Sequence, residues 1–197
     1  MSSYNNLNSV SKTLAGRIWN GIKGDKQIKT IINSEKQIIH LSPKDAQTES
    51  AQVSVFLYNI TELSSMRNQP QTTPNSSKPP LYLNLRYLIT PLTLNIENDQ
   101  IVLLGKIMQL FSETPVLRGS DLQGSLSETG DDLRITLDAL AADDLNKLWT
   151  MFSTPYKLCV SYTVYPVRIE SSVKSERKTV IIKKPNLTIA KTTIKKA

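Results

Sequence analysis

The side chains that could carry out chemistry are few and lie far apart in the sequence. There is one histidine, His40, and one cysteine, Cys159. A zinc site needs three or four Cys, His or carboxylate ligands, and a cysteine nucleophile needs a neighbouring base. His40 lies in the strand-like stretch QIIHLSP, and Cys159 lies in an apolar stretch where it fits a small buried hydrophobic residue. We therefore interpret both as structural residues.

Two pairs of acidic residues are the remaining candidates for general acid–base catalysis. Asp143-Asp144 opens a helical pattern, where carboxylates stabilise the positive end of the helix dipole. Asp131-Asp132 lies in a turn-like segment. The stretch LRGSDLQGSL at 117–126 lacks the lysine and the following helix that a phosphate-binding loop requires. The sequence therefore predicts a protein that is not an enzyme and that binds no cofactor and no metal.

The net charge of +7 is concentrated at one end of the chain. Residues 173–197 hold eight of the 24 basic residues and one of the 17 acidic ones, so the 16 bases and 16 acids that remain balance each other. Nucleic-acid-binding domains usually carry a basic face on the folded body, which argues against that function. We therefore divide the chain into a neutral domain, residues 1–172, and a basic C-terminal arm, residues 173–197.

Targeting signals are not found in the sequence. No stretch approaches the roughly 18 apolar residues that span a bilayer, and the N-terminal residues lack the basic start and apolar run of a signal peptide. The sequence predicts synthesis in the cytoplasm and no membrane partner.

Apolar periodicity predicts the helices and strands of the domain. Spacings of three and four predict an amphipathic N-terminal helix at 7–23. Two further helices are predicted at 99–112 and 141–152, the last with a buried stripe of Leu145, Leu148, Trp149 and Phe152. Strands are predicted at 27–32, 36–41, 53–60, 81–89, 133–140 and 156–170, with a polar connection at 44–52. This order predicts an α+β fold in which a mixed, mainly antiparallel sheet packs against helices.

Three strands carry more specific expectations. Both faces of 53–60 are apolar, so both should be covered. Leu133, Ile135 and Leu137 alternate with polar residues and should all point inward. Pro166 predicts an edge position or a bulge near the end of the last strand.

Two segments are candidates for contacts with other proteins. The loop 61–80 separates two dense strands, and a loop of that length in a compact domain is usually functional or disordered. Its candidate contact residues are Ser64, Ser65, Met66, Arg67, Asn68 and Gln69. The C-terminal arm alternates β-prone residues with lysine, a pattern suited to adding a strand to an exposed sheet edge. Its candidate contact residues are Lys178, Val180, Ile181, Ile182, Lys183, Lys184, Leu187, Ile189 and Lys191.

Two stretches carry a resemblance to a known family. VSVFLYNITELSSMRNQP with PPLYLNLRYLITP, and TPYKLCVSYTVYPVRI, resemble the paired signatures of the cap, or tube terminator, proteins of extracellular contractile injection systems, such as the antifeeding prophages and Photorhabdus virulence cassettes. The matching motifs are Phe56-Leu57-Tyr58, Arg67-Asn68 with Pro70, Pro79-Pro80-Leu81, Tyr87-Leu88, Pro115-Val116-Leu117, Leu148-Trp149 and Thr154-Pro155-Tyr156. The resemblance covers about residues 7–170 and does not include the basic arm.

The resemblance implies a tail-terminator-like fold and a structural role in a phage-tail-like particle. Cap proteins are similar to the tail terminators of contractile phages, which form sixfold rings that close the inner tube and the last sheath layer. It therefore implies three partners: further copies of this chain in a homohexameric ring, the inner tube protein and the sheath protein. The arm lies outside the resemblance, and it is the alternation of its β-prone residues with lysine that leads us to expect residues 178–195 to supply a strand to sheath subunits. The implied location is an assembled particle, either cytoplasmic or released.

Two alternatives stay open at this point. The chain could terminate a true phage tail, because the motifs do not separate phage tails from injection systems. It could also bind nucleic acid through its basic arm, with an affinity that would depend strongly on salt.

Overall fold

The computed structural model of the protein describes residues 3–67, 79–92 and 97–172. In these ranges the helices are α1 (Asn6–Ile22), α2 (Pro43–Ala46), α3 (Glu97–Glu113) and α4 (Ala142–Phe152). The strands are β1 (Ile38–Ile39), β2 (Val53–Glu62), β3 (Leu81–Pro91), β4 (Val116–Leu117), β5 (Leu133–Asp138) and β6 (Val160–Ile169). They form one sheet in the order β1-β2-β3-β6-β5-β4. β1 and β2 are parallel and the other pairs are antiparallel, so the predicted α+β fold is confirmed.

One face of the sheet is apolar and is covered by α1 and α3. The apolar stripe of α1, as its spacing predicts, buries Val10, Leu14, Ile18 and Ile22, each at most 1% exposed. Because a large apolar side chain contributes about 1.5–3 kcal/mol when it is fully buried, this layer is the main source of stability. The sheet residues of the same core are Val53, Val55, Leu83, Leu85, Tyr87, Ile89, Leu133, Ile135, Tyr162 and Val164.

A second, polar stripe on α1 holds the irregular connection between β4 and β5. Asn6 accepts a hydrogen bond from Ser125 Oγ at 2.6 Å and donates one to a backbone carbonyl of β6 at 2.7 Å. Ser9 Oγ lies 3.0 Å from Ser125 Oγ. The backbone N–H of Gln123 donates to Thr13 Oγ1 at 2.9 Å. These buried groups find partners in one another, so the connection packs against α1 without unpaired polar atoms at these positions.

The opposite face of the sheet is covered by α4 and, beside β1, by α2. Trp149 and Phe152 of α4 are buried there, and the ring of Phe152 meets that of Phe56 on β2 edge-to-face at 5.6 Å. Ala46 of α2 packs against Ile39 of β1 in a small buried cluster. Elsewhere on this face, Arg86 on β3 lies 3.4 Å from Asp138 on β5. The predicted stripe of α4 is thus confirmed at its aromatic residues, whereas its two leucines are only half-buried.

The strand predicted at 27–32 is wrong. Residues Ile28–Thr30 form a 3-10 turn, because Asp25 Oδ1 accepts the backbone N–H groups of Gln27 at 3.0 Å and Ile28 at 3.3 Å. Ile28 and Ile32 are both buried. A four-residue separation places two side chains on one face of a helix and also on one face of a strand, so the spacing of these isoleucines alone does not distinguish the two.

The strand predicted at 36–41 is confirmed only as the two-residue β1. Residues Glu35–Gln37 form a 3-10 turn that Ser34 caps, and His40 follows β1 instead of lying within it. The polar connection predicted at 44–52 contains α2 and a second 3-10 turn, Gln47–Glu49.

The last two strands differ from prediction in detail. β6 begins at Val160, four residues later than predicted. Pro166 does not lie on an edge, since β6 pairs with both β3 and β5, but it falls within a register shift between β3 and β6, so the alternative of a bulge is confirmed. Leu133 and Ile135 are buried as predicted, but Leu137 is 52% exposed. Leu137 forms part of the wall of an open groove whose other lining residues include Gly105 and Met108 of α3.

Gly21 and Gly105 differ in the space that is available for a side chain. A Cβ atom at Gly21 would lie 2.4 Å from both methyl groups of the buried Leu110, whereas a Cβ atom at Gly105 would meet no atom within 4 Å. Alanine is about 1 kcal/mol more favourable than glycine inside a helix. We therefore expect Gly105→Ala to raise the free energy of unfolding, and Gly21→Ala to lower it because α1 and α3 must separate. Urea denaturation compares the two, and stabilisation by Gly21→Ala would contradict this packing.

Tyr87 links β3 to α1 and should make stability depend on pH. Its hydroxyl lies 2.9 Å from Ser11 Oγ, and burial raises the pKa of Tyr87 to about 12. Tyrosine in the unfolded chain ionises near pH 10, so between about pH 10 and 12 the unfolded state binds fewer protons than the folded state. Stability should therefore fall with rising pH, with Tyr87 contributing up to about 1.4 kcal/mol per pH unit.

Tyr87→Phe should remove this contribution and cost about 1 kcal/mol at neutral pH through the lost hydrogen bond. The control is Tyr4→Phe at an exposed site, which should change neither quantity. Denaturation curves between pH 9 and 12 make the measurement. If the free energy of unfolding depends on pH identically in the wild type and in Tyr87→Phe, the expectation for Tyr87 is wrong.

Candidate assembly surfaces

β2 and β3 form a hairpin, and the outer half of β2 has no covering helix among the described residues. Residues 53–55 of β2 are buried, 56–58 are half-buried and 59–62 are exposed. The expectation that both faces of 53–60 are covered is therefore wrong for its last residues, because no described helix packs there. Ile60 and Leu81 are 48% and 43% exposed. The hairpin end thus combines exposed apolar side chains with exposed backbone.

The first four candidate contact residues of the predicted loop lie at this hairpin end. β2 continues to Glu62, two residues into the predicted loop, and Ser64–Met66 form a 3-10 turn. Arg67 Nε donates to Glu62 Oε1 at 2.8 Å, and this hydrogen bond lowers the pKa of Glu62. Ser64, Ser65 and Arg67 are exposed, and Met66 is half-buried. The other two candidates, Asn68 and Gln69, lie outside the described residues.

The outer edge of β2 is open along most of its length. β1 pairs only with Val53 and Ser54. The next backbone position, Val55, hydrogen-bonds with the side chain of His40, whose pKa is lowered by burial. From 57 to 62, no strand of the described chain lies on that side. An open edge of this kind can pair with a strand from another chain. His40, predicted to be structural, therefore contacts the strand at the point where β1 ends.

An apolar groove runs between α3 and β5, at the other end of the sheet. Its volume is about 690 Å³, and Leu137 forms part of its wall. A smaller hollow of about 200 Å³ follows beside it, and the two share Met108 and Leu137. The groove is lined by Gly105, Met108, Gln109, Phe111, Ser112, Pro115, Ile135, Thr136, Leu137 and Tyr162.

The residues considered for catalysis do not come together. Asp131 lies 3.2 Å from Arg168 and Asp132 lies 2.8 Å from Arg118, so each of these acids faces a base and not a second acid. Burial raises the pKa of the half-buried Cys159 thiol, which keeps it protonated. Within residues 3–67, 79–92 and 97–172 no three potential metal ligands cluster. No helix in these ranges is long and apolar enough to cross a membrane.

The candidate contact residues of the basic arm lie outside the described residues. They are Lys178, Val180, Ile181, Ile182, Lys183, Lys184, Leu187, Ile189 and Lys191. The predicted boundary between the domain and the arm, at 172 and 173, stays a prediction.

Sequence reasoning missed both the open edge of β2 and the groove beside β5. An edge is a property of strand order, which apolar periodicity does not report. The groove had one available signal, a glycine at position 105 within a helix that is otherwise apolar, since glycine inside a helix is unfavourable without a packing or functional reason.

Comparison with known proteins agrees with this architecture. A model of the Pvc16 N-terminal domain family matches residues 9–182. The chain is similar to the PVC sheath/tube terminator of an extracellular contractile injection system in its extended state, with 16% identity and a TM-score of 0.53. It is also similar to the tube-terminating cap of the anti-feeding prophage, with 21% identity and a TM-score of 0.51.

These similarities extend over most of the present chain and part of the longer ones. The first covers 92% of this chain and 63% of the terminator, and the second covers 86% of this chain and 58% of the cap. The chain thus spans about three fifths of the length of each of these proteins. No curated protein sequence matches it.

The family match runs from the first turns of α1 to a point beyond β6, and it therefore includes every strand of the sheet. The two solved structures show the same fold, so the predicted resemblance and the tail-terminator-like architecture are confirmed. The chain belongs to the Pvc16 N-terminal domain family.

Proposed function

We propose that this protein is a structural cap of a contractile injection system, which terminates the inner tube and the last sheath layer and stabilises the extended particle. The observation that carries the proposal is the family match over residues 9–182, together with a fold shared with two terminators of such systems. Its partners are the tube and sheath proteins, and its place is the assembled particle. Its role is mechanical, and it catalyses no reaction.

The hairpin end of β2 and β3 is suited to contact the end of the tube. It presents Ile60 and Leu81 to solvent beside the open edge of β2. Main-chain groups on an open edge give affinity, and neighbouring apolar side chains give specificity. Arg67, held against Glu62, adds a polar rim beside these residues. We assign the described contact candidates, Ser64 to Arg67, to this same surface.

A second exposed apolar surface lies on α4, on the other side of the sheet. Met151 is 76% exposed, and Tyr156 packs edge-to-face against Trp149 at 5.6 Å while more than half of it faces solvent. A ring of identical subunits uses two different surfaces of each subunit, because every contact in it is head-to-tail. We propose that the α4 surface contacts the next subunit of a homohexameric ring, as the resemblance to sixfold terminators implies.

The hairpin end can be tested without unfolding the domain. In the double variant Ile60→Asp, Leu81→Asp, each change is made at a side chain that is about half exposed, so stability should change by no more than about 1 kcal/mol. Tubes and sheaths assembled with this variant should vary in length, because charge at the docking surface prevents capping. Electron microscopy of particle lengths makes the measurement.

The matched control for this variant is Ile101→Asp, which introduces the same charge at an exposed apolar residue of α3. Particles with the control should have uniform lengths. Uniform lengths with the hairpin variant, or an equal defect with the control, would contradict the assignment of the tube contact to the hairpin end.

The ring can be tested by counting copies. We expect six copies of the chain at one end of each particle, and a hexamer of the isolated protein at high concentration, in line with the closed symmetry of most homo-oligomers. Mass photometry and imaging of the particle end give both counts. Met151→Asp should reduce the hexamer fraction, with Ile101→Asp again as control. A single copy at the particle end would rule out the ring.

A further inference from the structure

The outer edge of β5 pairs with the two-residue strand β4 and is open beyond it among the described strands. β4 pairs only with Leu133 and Arg134, and the next backbone N–H, of Ile135, donates to Pro115 O at 2.8 Å. Backbone groups two residues apart in a strand point to the same edge. The N–H and C=O of Leu137 therefore face the side that β4 leaves free, and none of the described strands pairs with them there.

The apolar groove lies directly beside this edge. Ile135, Thr136 and Leu137 of β5 form one of its walls, and α3 forms the other. A strand added to β5 would therefore place every second side chain in the groove and cover the exposed Leu137. Open backbone groups next to a pocket for alternate side chains are the requirements for recognition of an extended segment.

The extent of the family match points to the occupant. The match continues to residue 182, ten residues past the end of the described chain at 172. The family model therefore also matches residues 173–182. These ten residues end in Thr-Val-Ile-Ile at 179–182, all of which favour strands. Val180 and Ile182, two residues apart, are the pair that one side of a strand would present to the groove.

The chain is long enough to reach the groove from its last strand. Thr136 on β5 lies opposite Thr163 on β6, six residues before the end of β6 at Ile169. To lie beside Thr136, the segment must run back along six residues of β6 and cross two strand spacings, which is a distance of about 22 Å. The ten residues from Ile169 to Thr179 extend up to about 33 Å. A tether this short keeps the segment at millimolar effective concentration.

The charges around the groove complement those of the segment. A segment returning from the end of β6 would run parallel to β5, with Lys178 near the end of α3 at Glu113. Its Lys183 and Lys184 would then lie beyond the end of β5, where the first turn of α4 carries the exposed Asp143 and Asp144. Opposite charges at both ends favour this direction and register.

We propose that residues 178–184 of the same chain add a seventh strand to the sheet, parallel to β5, with Val180 and Ile182 in the groove between α3 and β5. The remaining part of the basic arm, with its second β-prone stretch at 187–190, stays available to the sheath. This inference concerns the fold of the domain, and it does not depend on the capping role.

Disulfide trapping tests the pairing in the full-length protein. In a Cys159→Ser background, Leu137→Cys is combined in turn with Val180→Cys, Ile181→Cys and Ile182→Cys. Under mild oxidation, the variants at 180 and 182 should form an intramolecular disulfide, and the variant at 181 should form it about tenfold more slowly because its side chain points to the other face. Non-reducing electrophoresis and intact mass give the result.

The other outcomes each overturn the proposal. Equal rates at all three positions would mean a segment without strand pairing. Disulfide-linked dimers would mean that a second copy fills the groove. The absence of any disulfide would mean that the segment binds elsewhere, for example only to the sheath.

Filling the groove with a larger side chain of α3 provides an independent test, which measures how accessible residues 178–184 are to a protease. Gly105→Leu places a side chain in the groove, and its matched control is Gly24→Leu, where a Cβ also meets no atom within 4 Å. Gly105→Leu should increase the rate of tryptic cleavage after Lys178 and Lys183 at least several-fold relative to wild type, whereas Gly24→Leu should not. Circular dichroism verifies that both are folded. Equal cleavage in all three proteins would overturn the proposal.

Discussion

Hydrophobic burial under α1 and α3 sets which part of the sheet is covered. Each helix contains 17 residues, which corresponds to about 25 Å. α1 begins at the outer end of β3, where Asn6 donates to the backbone carbonyl of β6 opposite Tyr82. Burial therefore continues along β3 to Leu83, whereas β2 is exposed from residue 59 to its end at Glu62. The exposed Ile60 is a consequence of a core that lies on β3 and β6 and leaves the outer half of β2 uncovered.

α1 organises the domain because it contacts two kinds of surface at once. Its apolar stripe packs on the sheet, and its polar stripe, with Asn6, Ser9 and Thr13, satisfies the irregular connection before β5. That connection contains two 3-10 turns, Gly119–Asp121 and Gly124–Glu128, and it buries Leu122 and Leu126 in the same core. A rigid body of this kind loses little conformational entropy when it docks, which suits a protein whose proposed role is to bind the end of a particle.

The two open edges suit this small domain to the assembly role that we propose. Among the described strands, none pairs with the outer edge of β2 from 57 to 62 or with that of β5 at Leu137, and the two edges lie toward opposite ends of one sheet. Unpaired edges expose a protein to uncontrolled association. A specific partner at each open edge prevents such association. Our proposals assign the tube end to β2 and the chain's own residues 178–184 to β5.

The sequence alone determined the elements whose signal is local. The spacing of Leu14, Ile18 and Ile22 predicted α1, and alternation predicted β3 and β5, because burial of one face imposes a period on the residues of that face. A run of strand-prone residues predicted β2. The family resemblance also came from short local motifs. The predicted strand at 27–32 failed because one side chain, Asp25, stabilises a competing turn. Only the tertiary structure decided strand order, the length of β4 and the exposure of Leu137. Each of these depends on how residues distant in the chain are arranged, such as the pairing of β4 with β5, and no periodicity within a single segment records it.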